Sequence, residues 1–264
     1  MVRAVPDILA RIADSKRAAL PDLRKRRTEL ETRAAARTDR RDFASALRAN
    51  RPAIIAEIKQ ASPSKGILAA GFDAVSIGQK YAAGGAAALS VLTDEEFFKG
   101  SLADLEAARA AVNLPVLRKD FTLDKVHVVE AAAHGADAIL LIAALLEERE
   151  LRDLREAADA YRIAALVEVH DQTELDAAIA SGAKIIGVNN RNLHTFEVTL
   201  ETSLRLAPRI PSGVIKVAES GIDSREAVKC LEQAGFEAFL VGEHLMRAPE
   251  PEQALRELLA CPER

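Results

Sequence analysis

Glu57 and Lys59 stand two positions apart, directly after the apolar run Ala53-Ile54-Ile55-Ala56. In an extended strand alternate side chains share a face, so this carboxylate and this ammonium point the same way. The arrangement recurs. The run Pro115-Val116-Leu117 leads into Arg118-Lys119-Asp120-Phe121, where alternation sets Lys119 and Phe121 with Leu117, and Arg118 and Asp120 opposite. Leu166-Val167-Glu168-Val169-His170 carries Glu168 inside an apolar stretch, where an unpaired carboxylate is costly. Gly187-Val188-Asn189-Asn190-Arg191 gives Asn189 and Arg191 one parity. Together these stretches offer carboxylates, amines, an amide and a guanidinium, a general acid–base set with anion-binding groups. A salt-bridged ring capping a core is the structural alternative. It predicts polar residues at both ends of the strands, whereas the N-terminal ends here read as apolar or small.

Two further stretches end differently, in Ala218-Glu219-Ser220-Gly221-Ile222 and Val241-Gly242-Glu243-His244. Glycine lets a phosphate approach the backbone, and helix N-termini present N–H groups to anions. Other chemistries find less support. The five histidines (His127, His134, His170, His194, His244) lack metal-site spacing. There is no G-x-S-x-G nucleophile elbow. A Schiff base on Lys59 or Lys119 stays open.

These groups need a scaffold that gathers strand ends. Eight candidate strands fall at 53–59, 86–92, 115–119, 137–142, 164–169, 184–189, 214–219 and 238–242. Most are continuous apolar runs, as expected of parallel strands covered on both faces. Charged, Ala- and Leu-rich segments of helical period separate them. Examples are Glu147 to Tyr161, and Asp171 to Ser181, which opens like a helix N-terminus and stops at Gly182. The expected fold is α/β, a (β/α)8 TIM barrel, in which polar groups at strand C-termini converge on one cavity and phosphate sites often follow strands seven and eight. An open doubly wound sheet would need a nucleotide fingerprint, and neither G-x-G-x-x-G nor G-x-x-x-x-G-K-[ST] occurs.

Residues 1–50 form the expected N-terminal helical extension and 51–264 the barrel, one domain overall. Pro6 to Arg17 puts Ile8, Leu9, Ile12 and Ala13 on one helical face, Pro21 is expected to end or kink that helix, and Arg41 to Arg48 forms a second short helix. Two placements remain open for this extension: a plug under the barrel, or a strap across its mouth. From Arg11 to Arg41 it holds eleven Lys or Arg against five Asp or Glu. They form either a solvated helix face or the border of an anion site.

The 264 residues suit one such barrel, and half of them are apolar, enough for a large core. With a net charge of -4, no Trp and two Tyr, the chain shows no footprint for a nucleic-acid partner. Cys230 and Cys261 have no metal spacing and read as a reduced, incidental pair. With no apolar leader core and no apolar stretch of spanning length, the expectation is a soluble cytoplasmic protein without a membrane partner.

The stretch Ile54-Ile55-Ala56-Glu57-Ile58-Lys59-Gln60-Ala61-Ser62-Pro63-Ser64-Lys65-Gly66 resembles the signature of the indole-3-glycerol-phosphate synthase family of tryptophan biosynthesis. Val116 to Phe121, Leu166 to His170, Ile186 to Arg191 and Ala218 to Ile222 are similar to family motifs in the same order, and Ile8-Leu9-Ala10-Arg11-Ile12 with Lys16-Arg17 resembles its N-terminal helix. The resemblance covers nearly the whole chain. It implies a carboxy-lyase that closes a ring in 1-(2-carboxyphenylamino)-1-deoxyribulose 5-phosphate, then loses CO₂ and water to give indole-3-glycerol phosphate. No metal and no organic cofactor are implied.

The resemblance also assigns residues. Lys119 matches the general acid, and Glu168 and Glu57 the acid–base carboxylates. Lys59 matches a catalytic residue that contacts the anionic substrate and assists as an acid, and Ser62 the region near the substrate carboxylate. Phe121 matches an aromatic wall, and Asn189 and Arg191 match groups that orient the intermediate. Ser220, Gly221, Gly242 and Glu243 would hold the phosphate, partly through backbone N–H groups. Some relatives have a small hydroxyl residue where this chain has Glu243, so its side chain is expected to point outward. Many bacteria fuse this domain to phosphoribosylanthranilate isomerase. This chain ends about five residues after its last expected helix, which reads as a monofunctional enzyme; separately, a monomer is expected. Other readings within reach are a different phosphosugar barrel, isomerase or Schiff-base aldolase, and a silent binding or scaffold barrel. The last would be expected to have lost its strand-end Lys or Glu.

Overall fold

The computed structural model describes residues 7–49, 51–62, 66–68 and 71–260. Pro6, Pro63, Ser64, Lys65 and Cys261, named above, lie outside the described residues. Eight parallel strands close into a barrel in the order β1-β10-β9-β8-β7-β6-β5-β4. They are β1 (Ala53–Ile58), β4 (Ala88–Leu92), β5 (Val116–Lys119), β6 (Ala138–Ile142), β7 (Ala164–Val169), β8 (Ile185–Asn189), β9 (Ile215–Glu219) and β10 (Ala238–Val241). Every expected strand is present, within two residues at either end. A pair of two-residue strands, β2 (Ala61–Ser62) and β3 (Gly66–Ile67), pairs antiparallel after β1 and was not foreseen.

Alternation divides the apolar residues into two cores. Ile55, Leu117, Leu140, Leu166, Ile185, Val217 and Leu240 fill the barrel lumen. Ile54, Leu89, Ile139, Val167 and Ile186 face outward beneath the helices. This division carries the same-parity residues Glu57, Lys119, Glu168, Asn189 and Glu219 to the C-terminal end of the lumen.

The helices after the strands are α4 (Ala74–Gly84), α5 (Glu95–Phe98), α6 (Leu102–Ala111), α7 (Lys125–Ala133), α8 (Glu148–Ala160), α9 (Gln172–Ala180), α10 (Glu201–Leu206), α11 (Arg225–Gln233), α12 (Glu243–Arg247) and α13 (Pro251–Leu259). Side-chain oxygens of Asp73, Ser101, Asp124, Asp171 and Ser224 accept hydrogen bonds from first-turn N–H groups of α4, α6, α7, α9 and α11. Such caps satisfy donors that a helix start leaves open. Among the described residues no helix is long and apolar enough to cross a membrane.

The N-terminal segment makes both of the placements left open. Three helices compose it, α1 (Asp7–Lys25), α2 (Arg27–Ala36) and α3 (Phe43–Ala49). Phe43 and Leu47 of α3 join Ala53 and Ala87 at the N-terminal end of the lumen core, a plug. Ile8, Leu9 and Ile12 of α1 border the cavity at the opposite end. Pro21 does not end α1, which continues to Lys25. Arg24, beyond the proline, pairs with Asp124 at 2.5 Å, so a tie to the barrel holds the last turn in place. A polar network also lies at the N-terminal ends, which were expected to be apolar or small. Asp137, just before β6, accepts from Arg109 and, at 3.0 Å, from the backbone N–H groups of both Val116 and Arg41. It fastens the segment to the barrel wall.

Candidate active site

The C-terminal mouth opens into a cavity of about 1080 Å³. All twelve residues assigned from the sequence border it: Glu57, Lys59, Ser62, Lys119, Phe121, Glu168, Asn189, Arg191, Ser220, Gly221, Gly242 and Glu243. Lys119, at the end of β5, has two carboxylates within reach. Its Nζ donates to Oε2 of Glu168 at 2.7 Å and to Oε2 of Glu219 at 2.9 Å. Glu168 Oε1 accepts from Asn189 Nδ2 at 3.1 Å, and Asn189 Oδ1 accepts from the Arg191 backbone N–H at 3.0 Å. Across the mouth Lys59 Nζ donates to Glu57 Oε1 at 2.5 Å. Phe121 is nearly buried and packs with the lumen core.

The electrostatics follow from this crowding. Burial opposes the charge on Lys119, but Glu168, Glu219 and Glu57 outweigh it and raise the ammonium pKa. Burial likewise opposes ionisation of Glu168, and there Lys119 and His170 prevail and lower its pKa. Glu219 goes the other way. Burial, with Glu168 and Glu57 nearby, pushes it up to about 7 despite Lys119. Two carboxylates on one ammonium thus separate into an ionised and a protonatable member.

Glu219 is the residue that the site assignments missed. The sequence held a signal for it, because Glu219 shares parity with Val217 at a strand end as Glu168 does with Leu166. Its room comes from β8, where a Cβ at Gly187 would lie 2.1 Å from Glu219 Oε1.

Beyond β9, Ser220 (φ 66°) and Gly221 (φ 75°) both take left-handed backbone. The buried Asn190 steadies this turn, its Nδ2 donating to the Ser220 carbonyl at 3.1 Å. Gly242 stands at the start of α12 with no side-chain cap, and a Cβ there would lie 2.3 Å from Glu57 Oε1. Glu243 departs from expectation. Its carboxylate lies on the cavity wall, 3.6 Å from Arg191 and 3.3 Å from Arg247, where opposite charges draw it rather than outward to solvent.

On the other parity, Arg118 faces away from the lumen, and Asp120, which also borders the cavity, pairs with it. Asp120 accepts from Arg118 at 3.0 Å and Thr93 at 2.6 Å, and Lys16 of α1 reaches Asp120 at 2.8 Å and Asp94 at 2.9 Å. That double ion pair pins α1 beside the mouth. None of the eleven basic residues from Arg11 to Arg41 borders the cavity among the described residues, and most pair on the surface or tie the segment to the barrel. Nor, among the described residues, is there a group of three or more His, Cys, Asp or Glu that could hold a metal ion.

The fold and site together define a (β/α)8 barrel whose C-terminal mouth gathers paired ammonium and carboxylate groups. Its backbone superposes on 3-hexulose-6-phosphate synthase from Salmonella typhimurium with a TM-score of 0.62 and 13% identity, over 78% of this chain and 96% of that one, a likeness of fold alone. The family described as Indole-3-glycerol phosphate synthase matches residues 9–258. Proteins of that name from Chromobacterium violaceum and Polaromonas naphthalenivorans are 53% and 50% identical to this chain. The first alignment covers 85% of this chain and 86% of the relative, the second 96% and 98%. The chain belongs to the indole-3-glycerol phosphate synthase family.

Proposed function

We propose that Lys119, between Glu168 and Glu219, is the general acid of this enzyme and that the two carboxylates are its proton partners. The activity is indole-3-glycerol-phosphate synthesis from 1-(2-carboxyphenylamino)-1-deoxyribulose 5-phosphate by ring closure, decarboxylation and dehydration. In ring closure the anthranilate carbon bearing the carboxylate attacks the ketone, whose oxygen gains negative charge and takes a proton. An ammonium has three N–H donors. Two of Lys119's are engaged by Glu168 and Glu219, which leaves the third for the ketone oxygen. The raised pKa of Lys119 suits a donor to a developing alkoxide, which is more basic still. It does not suit a Schiff-base nucleophile, which needs a neutral amine.

Loss of CO₂ restores the ring. Dehydration then breaks the C–O bond and releases a proton, for which Glu168, held ionised, is the acceptor. Glu57 and Lys59 serve as a second acid–base pair across the mouth. Asn189, fixed between Glu168 and the Arg191 backbone, orients the intermediate with Arg191. Phe121 and the α1 residues Ile8, Leu9 and Ile12 offer an apolar wall to the anthranilate ring, with Ser62 near its carboxylate. The phosphate sits on the Ser220–Gly221 turn and the start of α12 at Gly242 and Glu243, where left-handed backbone and helix N–H groups favour an anion. The protein works as one domain and as a monomer.

The observation that carries this reading is the position of Lys119, within 3 Å of two carboxylates that border the same cavity as the phosphate turn. Lys119→Ala tests it. Indole fluorescence on adding substrate should appear roughly 10²–10⁴-fold more slowly. A near-normal rate would remove Lys119 from the chemistry.

A further inference from the structure

His170 follows β7 with the parity of Glu168 but, among the described residues, is not part of the cavity wall. It stands behind the carboxylate, between two acids. Its Nδ1 is hydrogen-bonded to Glu174 Oε2 at 2.9 Å, and its Nε2 lies 3.4 Å from Glu168 Oε1, in ion-pair range but without a hydrogen bond. The same Glu174 oxygen accepts the His170 backbone N–H at 2.6 Å. Glu174 is itself fixed, buried in the first turn of α9, where its own N–H donates to Asp171 at 2.9 Å. A neutral imidazole with its proton on Nδ1 sets the Nε2 lone pair near Glu168, whereas an imidazolium presents a positive N–H to each acid. A carboxylate oxygen within ion-pair range of each ring nitrogen favours the cation, although Nε2 makes no hydrogen bond.

We propose that His170 is a positioning residue: as an imidazolium clamped between Glu168 and Glu174, it makes Glu168 rather than Glu219 the ionised carboxylate of the pair on Lys119. Charge counting gives the reason. Glu168 from β7, Glu219 from β9 and Glu57 from β1 all face Lys119 from β5, and Lys59 is taken by Glu57. One ammonium cannot hold Glu168 and Glu219 equally ionised. Glu168 has a second cation behind it, and Asn189 of β8 beside it. Among the described residues Glu219 has Lys119 as its one ion-pair partner, and its Oε1 has no hydrogen-bond partner. The charge that distinguishes the two acids therefore comes from outside the cavity. In keeping with this, burial lowers the imidazole's pKa but Glu168 and Glu174 outweigh it, raising it to about 10.

The catalytic consequence rests on the role given to Glu168 above; the clamp itself does not. The experiment has two arms on the full-length protein. In the first, nitrogen NMR follows the His170 ring through pH. It should remain doubly protonated to pH 8 and above, and lose its proton at lower pH in Glu168→Gln. Ordinary titration near 6.5 in the unaltered protein would overturn the proposal. In the second arm, His170→Asn keeps a polar group and removes the charge. The acidic limb of kcat should move up by one unit or more, with kcat at pH 6 about tenfold lower, near-complete recovery by pH 8.5 and KM unchanged. A loss equal at every pH would mean a merely structural role and would also overturn it. Full activity in Glu168→Gln would refute the catalytic reading, and the NMR arm, which needs no turnover, separates that from failure of the clamp.

Discussion

A methyl group at position 187 would stand 2.1 Å from Oε1 of Glu219. The glycine on β8 and the carboxylate on β9 are one feature, because the missing side chain is what admits the acid to the lumen. Gly187 lies in register with Glu168 on one side and Val217 on the other, between the strands that supply both acids. Gly242, just after β10, stands in the same relation to Glu57 on the neighbouring strand β1.

Gly187→Ala should therefore disable the enzyme without unfolding it. Leu166 Cδ1, 3.2 Å from the same added carbon, blocks escape on the other side, so Glu219 must move. Overpacking of this kind costs about 1–3 kcal/mol, a drop in Tm of several degrees. The kcat should fall by about 10²-fold or more, since misplaced acid–base groups lose that much. Steady-state kinetics beside a thermal melt decide it; full kcat in a folded variant would make the placement of Glu219 immaterial.

The same pair shows what the sequence could and could not convey. Strand positions and inward parity were legible, because apolar runs report burial on both faces and alternation is fixed at two residues; Lys119, Glu168 and Asn189 followed directly. Gly187 was not, since a glycine in a strand does not say which side chain needs its space. His170 was legible as a residue but not as a clamp, because its second partner, Glu174, comes from the next helix. The reach of α1 over the mouth depended on Lys16 finding Asp94 and Asp120, two carboxylates far away in the chain. Pro21 reads as a breaker locally, and a distant ion pair at Arg24 accompanies the helix past it.

Glu219, pushed up to about 7 mainly by burial, gives a pH signature. Between its ordinary value of 4.5 and about 7 the folded protein keeps a proton that the unfolded chain has lost. Its contribution to stability is therefore greatest below pH 4.5 and declines as pH rises through that window. Glu219→Gln should abolish that part of the decline, so the difference in unfolding free energy between variant and parent grows from pH 4.5 to 7 in the variant's favour. Urea titrations at several pH values measure it, and a pH-independent difference would mean that Glu219 ionises normally.

Lys16 joins α1 to the barrel, so Lys16→Met should affect both stability and substrate affinity. The substitution leaves Asp94 and Asp120, both buried, short of a cation. Arg118 still faces Asp120, which limits the cost to about 1–3 kcal/mol rather than that of a fully orphaned charge. Burial opposes the charge on Asp120, but Arg118 and Lys16 outweigh it and hold its pKa below 3.8. That stabilisation is present above pH 3.8 and lost as pH falls through the folded value, so the variant should unfold at higher pH on acidification. A loosened α1 withdraws Ile8, Leu9 and Ile12 from the cavity wall, and KM should rise severalfold with kcat less affected. An unchanged KM would show that α1 does not contact substrate.

Glu243 sets a charge where the phosphate is proposed to bind. Its carboxylate lies within 3.6 Å of Arg191 and 3.3 Å of Arg247, is about one third exposed, and borders the cavity beside Gly242. A dianion on the Ser220–Gly221 turn meets both the repulsion of that carboxylate and two guanidiniums already engaged. Solvent weakens each effect, so neither is worth more than about 1 kcal/mol. Glu243→Ser removes the repulsion and leaves both arginines to the phosphate. KM should fall about three- to tenfold at low salt, inhibition by inorganic phosphate should strengthen in parallel, and kcat should be unchanged because the acid–base groups are untouched. The gain should shrink as salt is added, which separates a charge effect from a change of shape. A higher KM in the variant would mean that Glu243 holds Arg191 and Arg247 in the geometry that the phosphate needs, and that their pairing is preorganisation rather than competition.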